Sequence, residues 1–141
     1  MAGKKLTCLD CGQLNRVPEE KLAANPKCGT CGAPLMSGKA VEVDAATLAK
    51  AAKNDDVPLV ADFWAPWCGP CRMMAPEFSK AAQTLQGRAR LVKLNTEDHQ
   101  AAGMKYGIRG IPTMVEFAGG REVKRQSGAM REPQIVSWIG A

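Results

Sequence analysis

Histidine is nearly missing from this chain of 141 residues, with His99 its single example. It lies in a polar stretch, Glu97 to Met104, that reads as a helix. A lone histidine there is a solvated surface residue rather than a metal ligand or a base. Aromatic residues are scarce at 5%, and residues 1–36 hold no Trp, Tyr or Phe. That region therefore lacks the exposed rings expected of a module that docks on nucleic acid or protein. No apolar run approaches the roughly 20 residues of a membrane-spanning helix. The stretch Met1 to Asp10 is basic but has no apolar core, so no secretory signal is read and a reducing cytoplasmic setting is expected. In such a setting six cysteines point to metal binding or catalysis rather than to a disulfide framework.

The formal charge is +5, with 23% charged and 45% hydrophobic residues. The Lys and Arg residues are scattered, and four thiolates on one zinc ion would lower the balance. The charge reads as ordinary solubility, with neither nucleic acid nor membrane expected as a partner. The length suits one ordinary domain with something small attached.

The small unit is expected at residues 1–36. Cys8-Leu-Asp-Cys11-Gly12 and Cys28-Gly-Thr-Cys31-Gly32 repeat one pattern, with sixteen residues between Cys11 and Cys28. This is the spacing of a four-cysteine zinc site, in which tight turns aim N–H groups at the sulfurs and glycine relieves the turn. Four thiolates leave a tetrahedral zinc no open position, so one structural zinc is expected. Iron fits the same ligand set. The unit has few apolar residues, among them Leu6, Leu9, Leu14, Val17, Leu22, Leu35 and Met36. A segment this small needs a metal or disulfides to offset its chain entropy. Oxidation of these thiolates with release of zinc is a further expectation, which would make the site redox-responsive.

Residues 37–40 read as a linker, and residues 41–141 as the larger domain. Ala40 to Val43 alternates as an edge strand, and Asp44 caps a helix through about Lys53. Pro58 to Trp64 reads as a buried strand, Met73 to Leu85 as a helix bent near Pro76, and Ala89 to Asn95 as another strand. After the polar helix come a hairpin, Thr113–Phe117 with Arg121–Arg125, and a last helix from about Glu132 to Ile139. The order β-α-β-α-β-α-β-β-α supports an α/β fold: a mixed central sheet flanked by helices.

The stretch that organises this domain is Trp67-Cys68-Gly69-Pro70-Cys71, between strand and helix. Cysteines three apart at a helix start share one face of its first turn. The free N–H groups and the dipole there stabilise a thiolate at Cys68. Pro70 fits a first turn, where its missing N–H costs nothing, and Gly69 lets another backbone approach the sulfur. The layout suits thiol–disulfide exchange, in which Cys68 attacks and Cys71 resolves the mixed disulfide. Met73 and Met74 read as core filler.

These residues resemble the active site of the thioredoxin family. The likeness extends to Asp62-Phe63-Trp64-Ala65, Met74-Ala75-Pro76 and Gly110-Ile111-Pro112-Thr113. With the double Cys-x-x-Cys extension, nearly the whole chain is similar to the zinc-ribbon-bearing bacterial thioredoxin 2 class. The resemblance implies a thioredoxin fold preceded by a zinc ribbon, and a protein-disulfide reductase with no organic cofactor. It also implies disulfide-containing protein substrates, a thioredoxin reductase as electron donor and a monomer. Rival readings are a zinc-ribbon adaptor with an accessory redox domain, or an oxidant or isomerase on the same fold. The Gly69-Pro70 dipeptide resembles reducing members.

Asp62 sits among apolar strand residues, where burial raises a carboxyl pKa and makes it a proton acceptor near neutrality. The resemblance assigns it to deprotonating Cys71 and gives Lys93 as its partner. Trp67 reads as a substrate contact, and Trp64 as packed. By the resemblance Pro112 is a cis-proline against the disulfide, with the Ile111 backbone free to pair with a peptide and Gly128 beside the same groove.

Overall fold

The computed structural model describes residues 3–141, so Met1 and Ala2, at the start of the expected ribbon, lie outside the described residues. The chain opens with a two-stranded antiparallel ribbon, β1 (Lys4–Thr7) and β2 (Leu14–Val17), which sequence patterning leaves unmarked. It continues with β3 (Val41–Glu42), α1 (Ala45–Asn54), β4 (Leu59–Trp64), α2 (Gly69–Thr84), β5 (Arg90–Asn95) and α3 (Gln100–Lys105). The hairpin β6 (Thr113–Ala118) and β7 (Arg121–Ser127) and the helix α4 (Glu132–Ile139) complete it.

Five strands form one sheet in the order β3-β5-β4-β6-β7. β3 and β4 run parallel to β5, while β6 is antiparallel to β4 and β7 to β6. β4 is central, and its run of Leu, Val, Ala, Asp, Phe is buried on both faces. On one face Leu48 and Ala51 pack with Phe63, Leu94 and Phe117. On the other, Met74 and Phe78 of α2 and Ile135 of α4 pack with Val60, Leu91 and Met114. Asp44 caps α1 by accepting the Thr47 N–H at 2.7 Å.

Two expectations need correction. The helix after the motif begins at Gly69 with Cys68 as its cap and Pro70 in its first turn, as the motif itself indicates, four residues ahead of the periodic stretch that begins at Met73. The polar helix is shorter than Glu97–Met104: it starts at Gln100, because Asn95 Oδ1 takes the Glu97 N–H at 2.9 Å and holds a turn there. Met73 is no core residue. It is 74% exposed, while its neighbour Met74 is buried, as successive positions on a helix surface must differ.

The ribbon is docked rather than tethered. Its small core of Leu6, Cys8, Val17, Leu22, Cys28, Leu35 and Met36 is completed by Val57, which precedes β4. Beside it lies a buried polar cluster. Asp55 Oδ1 accepts the Thr7 N–H at 2.8 Å, and Arg90 donates to Asp55 Oδ2 and, at 2.7 Å, to the Thr7 carbonyl. Asp56 Oδ2 accepts the Lys5 N–H at 2.8 Å, and the Asp56 N–H returns to the Lys5 carbonyl at 2.9 Å. The N–H and carbonyl groups of Lys5 and Thr7 each have a partner here, which offsets their desolvation, while Thr7 Oγ1 and Arg90 Nε are buried without one.

Candidate active site and metal centre

β4 delivers the chain from the buried sheet into Ala65-Pro66-Trp67, and α2 takes it away. Between them Cys68 and Cys71 are joined as a disulfide with Cα atoms 5.2 Å apart. The Cys71 N–H points at Cys68 Sγ over 3.2 Å, so the first-turn donors face the sulfur that caps the helix. Both cysteines are buried, Cys68 at 4% and Cys71 at 2% exposure, so the second is only marginally less accessible. Gly69 follows with open space where a Cβ would stand.

Several other candidates gather here. The Ile111–Pro112 bond is cis, and the Ile111 carbonyl oxygen lies 3.7 Å from Cys68 Sγ. Gly128 adopts φ +97° and donates its N–H to the Pro112 carbonyl at 2.9 Å, which ties the start of β6 to the end of β7. Trp67 is 67% exposed. Its indole N–H is held by Glu97 Oε2 at 2.8 Å, a partner that sequence reasoning missed because Glu97 reads only as helix surface.

Asp62 stands two residues before the end of β4 on the face covered by α2, since Val60 and Met114 beside it pack there. It is 1% exposed, and neither carboxylate oxygen has a hydrogen-bond partner. Burial pushes its pKa up to about 7; Lys93 pulls it down and Glu42 adds to the rise. Lys93 is the register neighbour of Asp62 on β5 and is half-buried, with its ammonium 4.6 Å above the Trp64 ring. Trp64 is half-buried and donates its indole N–H to the Glu42 carboxylate at 3.2 and 3.3 Å.

The four ribbon cysteines form the second site. Their sulfurs all lie within 4.8 Å of one another, with Cys8–Cys31 and Cys11–Cys28 at 3.6 Å. A tetrahedral zinc with Zn–S bonds of about 2.3 Å needs sulfurs about 3.8 Å apart, so the cluster fits one metal ion. Donors already surround it: the Cys11 N–H faces Cys8 Sγ at 3.4 Å, while the Thr30 N–H and the Asn15 amide face Cys28 Sγ at 3.4 and 3.5 Å. Hydrogen bonds of this kind favour thiolates.

The thioredoxin family model matches residues 39–141, and the model described as thioredoxin 2, N-terminal, matches residues 7–33. The chain belongs to the thioredoxin family. Among curated relatives, thioredoxin C-3 of Corynebacterium nephridii is 38% identical over 134 residues, 95% of this chain and 92% of that protein. The thioredoxin of Pseudomonas aeruginosa is 37% identical over 106 residues, 75% and 98% of the two chains. Among solved structures, a point mutant of the thioredoxin from Halobacterium salinarum superposes with a TM-score of 0.65 at 31% identity, covering 72% of this chain and 88% of that one. Chloroplastic thioredoxin z superposes with a TM-score of 0.66 at 30% identity, covering 72% and 92%. The larger domain thus has the thioredoxin fold, and the chain is a protein-disulfide oxidoreductase of that family with a zinc ribbon in front. Among the described residues, no helix is long and apolar enough to cross a membrane.

Proposed function

We propose that this thioredoxin reduces protein disulfides with Cys68 as nucleophile and Cys71 as resolving thiol. In the reduced form the Cys68 thiolate attacks one sulfur of a substrate disulfide, and the other sulfur leaves as a thiolate. Cys71 then gives its proton to the Asp62 carboxylate and attacks Cys68 Sγ. The second substrate sulfur also leaves as a thiolate, the two substrate sulfurs take up protons from Asp62 and from solvent, and the chain holds the Cys68–Cys71 disulfide. Two electrons from a thioredoxin reductase restore the dithiol. The observation that carries this reading is the sulfur pair at the α2 N-terminus with the Ile111 carbonyl beside Cys68.

The substrate groove consists of Trp67, Gly69, Pro70, Ile111, Pro112 and Gly128. An extended substrate segment pairs there with the Ile111 backbone. Lys93 modulates the Asp62 proton. The chain is divided into a ribbon (1–36), a linker (37–40) and a redox domain (41–141), and acts as a cytoplasmic monomer. The four ribbon thiolates hold the zinc as a structural ion. Insulin reduction coupled to NADPH through a thioredoxin reductase tests the catalytic reading. Turnover comparable to other thioredoxins is expected, and no NADPH consumption would overturn it. Metal analysis of the reduced protein tests the ribbon, with one zinc per chain expected.

A further inference from the structure

Three charged residues form a row across the sheet. Glu42 of β3 is the register partner of Lys93 of β5, which is in turn the partner of Asp62 of β4. Residues in register share a sheet face, so one ammonium stands between two carboxylates. Yet Lys93 is not on Asp62, whose oxygens are both unpartnered. It rests over the Trp64 ring, and that ring is held by Glu42. Glu42 Oε2 also accepts the Asn95 N–H at 3.0 Å, so the carboxylate spans β3, β4 and β5.

The geometry points to Glu42 as a positioning residue that sets the proton affinity of Asp62 by drawing Lys93 and Trp64 toward the sheet edge. This rests on Asp62 being the proton acceptor for Cys71, the reading given above. Were Lys93 free to lie against Asp62, the carboxylate would be stabilised and become a poorer base. The negative charge of Glu42 acts in the same direction, across two strand spacings of about 4.8 Å each. Other charged or titratable groups bear on the row. α2, which covers this face, brings Cys68 and Cys71; β6 brings Glu116; Asp98 acts on Glu42.

The experiment follows the Asp62 carboxyl carbon by NMR through a pH titration of the oxidised protein, in which Cys68 and Cys71 do not titrate. E42Q keeps an acceptor for the indole and removes the charge. It is expected to lower the Asp62 midpoint by roughly half a pH unit. An unchanged or raised midpoint overturns the inference. The parent protein gives a second readout that needs no variant. The Glu42 carboxyl resonance is expected to show a second inflection at the Asp62 midpoint, and a single inflection overturns the coupling. Separately, an Asp62→Asn protein that reduces disulfides as fast as the parent would remove the proton-acceptor reading without touching the titration result.

Discussion

The chain uses one local turn three times and ends it in two ways. After Cys8 and Cys28 the carbonyl of the first cysteine accepts the N–H four residues on, from Gly12 and Gly32, each at 2.9 Å. After Cys68 the same bond comes from Arg72 at 3.1 Å. In the ribbon the fourth residue is a glycine at φ +84° or +80°, which reverses the chain and leaves the sulfurs facing a second copy of the turn. In the redox domain Pro70 and Arg72 continue into sixteen residues of helix, so the two sulfurs face each other and the helix N-terminus. Cys-x-x-Cys alone thus does not choose between metal and disulfide. The residue after it, and the presence of a second pair, decide.

The contrast breaks most sharply at the sulfurs. Cys68→Ser is expected to abolish insulin reduction, while Cys71→Ser accumulates mixed disulfides that gel electrophoresis without reductant will reveal. An active Cys68→Ser, together with no adducts on Cys71→Ser, would reverse the assignment. The same Cys8→Ser or Cys28→Ser changes are expected to abolish zinc binding and leave dithiol chemistry in place.

The next effect concerns how far the two regions are separate. Arg90→Met removes one member of a buried pair and leaves Asp55 and the Thr7 carbonyl uncompensated. It is expected to cost about 3–5 kcal/mol in denaturant unfolding, and to loosen the ribbon as well as the sheet. A loss under about 1 kcal/mol would mean the ribbon is merely tethered.

Asp62→Asn separates function from stability within the redox domain. The folded pKa of about 7 lies above an unfolded value near 3.9. Between them the native state keeps a proton the unfolded state has lost, so stability falls as pH rises from about 4 through about 7. Removing the group is therefore expected to stabilise the protein at pH 8 by up to about 4 kcal/mol, with little change at pH 4, while slowing single-turnover reduction. Denaturant midpoints at both pH values, with the rates, check it. The smallest effect is in the turns. Gly32→Ala places a Cβ at positive φ and is expected to cost the ribbon about 1–2 kcal/mol. Gly69→Ala, where a Cβ meets nothing, is expected to stay within about 0.5 kcal/mol by thermal unfolding.

Much of this was legible in the residues. The strand into the motif, the Asp44 cap, the closing hairpin and the last helix follow from periodicity and capping chemistry, and spacing brings the four ribbon cysteines together. What escaped depends on contacts between distant segments. β1 and β2 are four residues each and carry no clear alternation, because their stability comes from Val57 and the Asp55–Arg90 cluster. Arg90 reads as one more scattered cation until Thr7 and Asp55 enclose it. Glu42 reads as the polar position of an edge strand, and only the register with Lys93 and the reach to Trp64 give it a role.

The place where the ribbon grips the sheet has a geometric consequence. Its clamps, Val57, Asp55, Asp56 and Arg90, sit where β4 and β5 begin, while the sulfurs follow the far end of β4. Six residues of strand put roughly 17 Å between them. β4 thus carries the ribbon's contacts at its start and leads to the disulfide past its end. The ribbon and the redox pair thus share one strand while touching opposite ends of it.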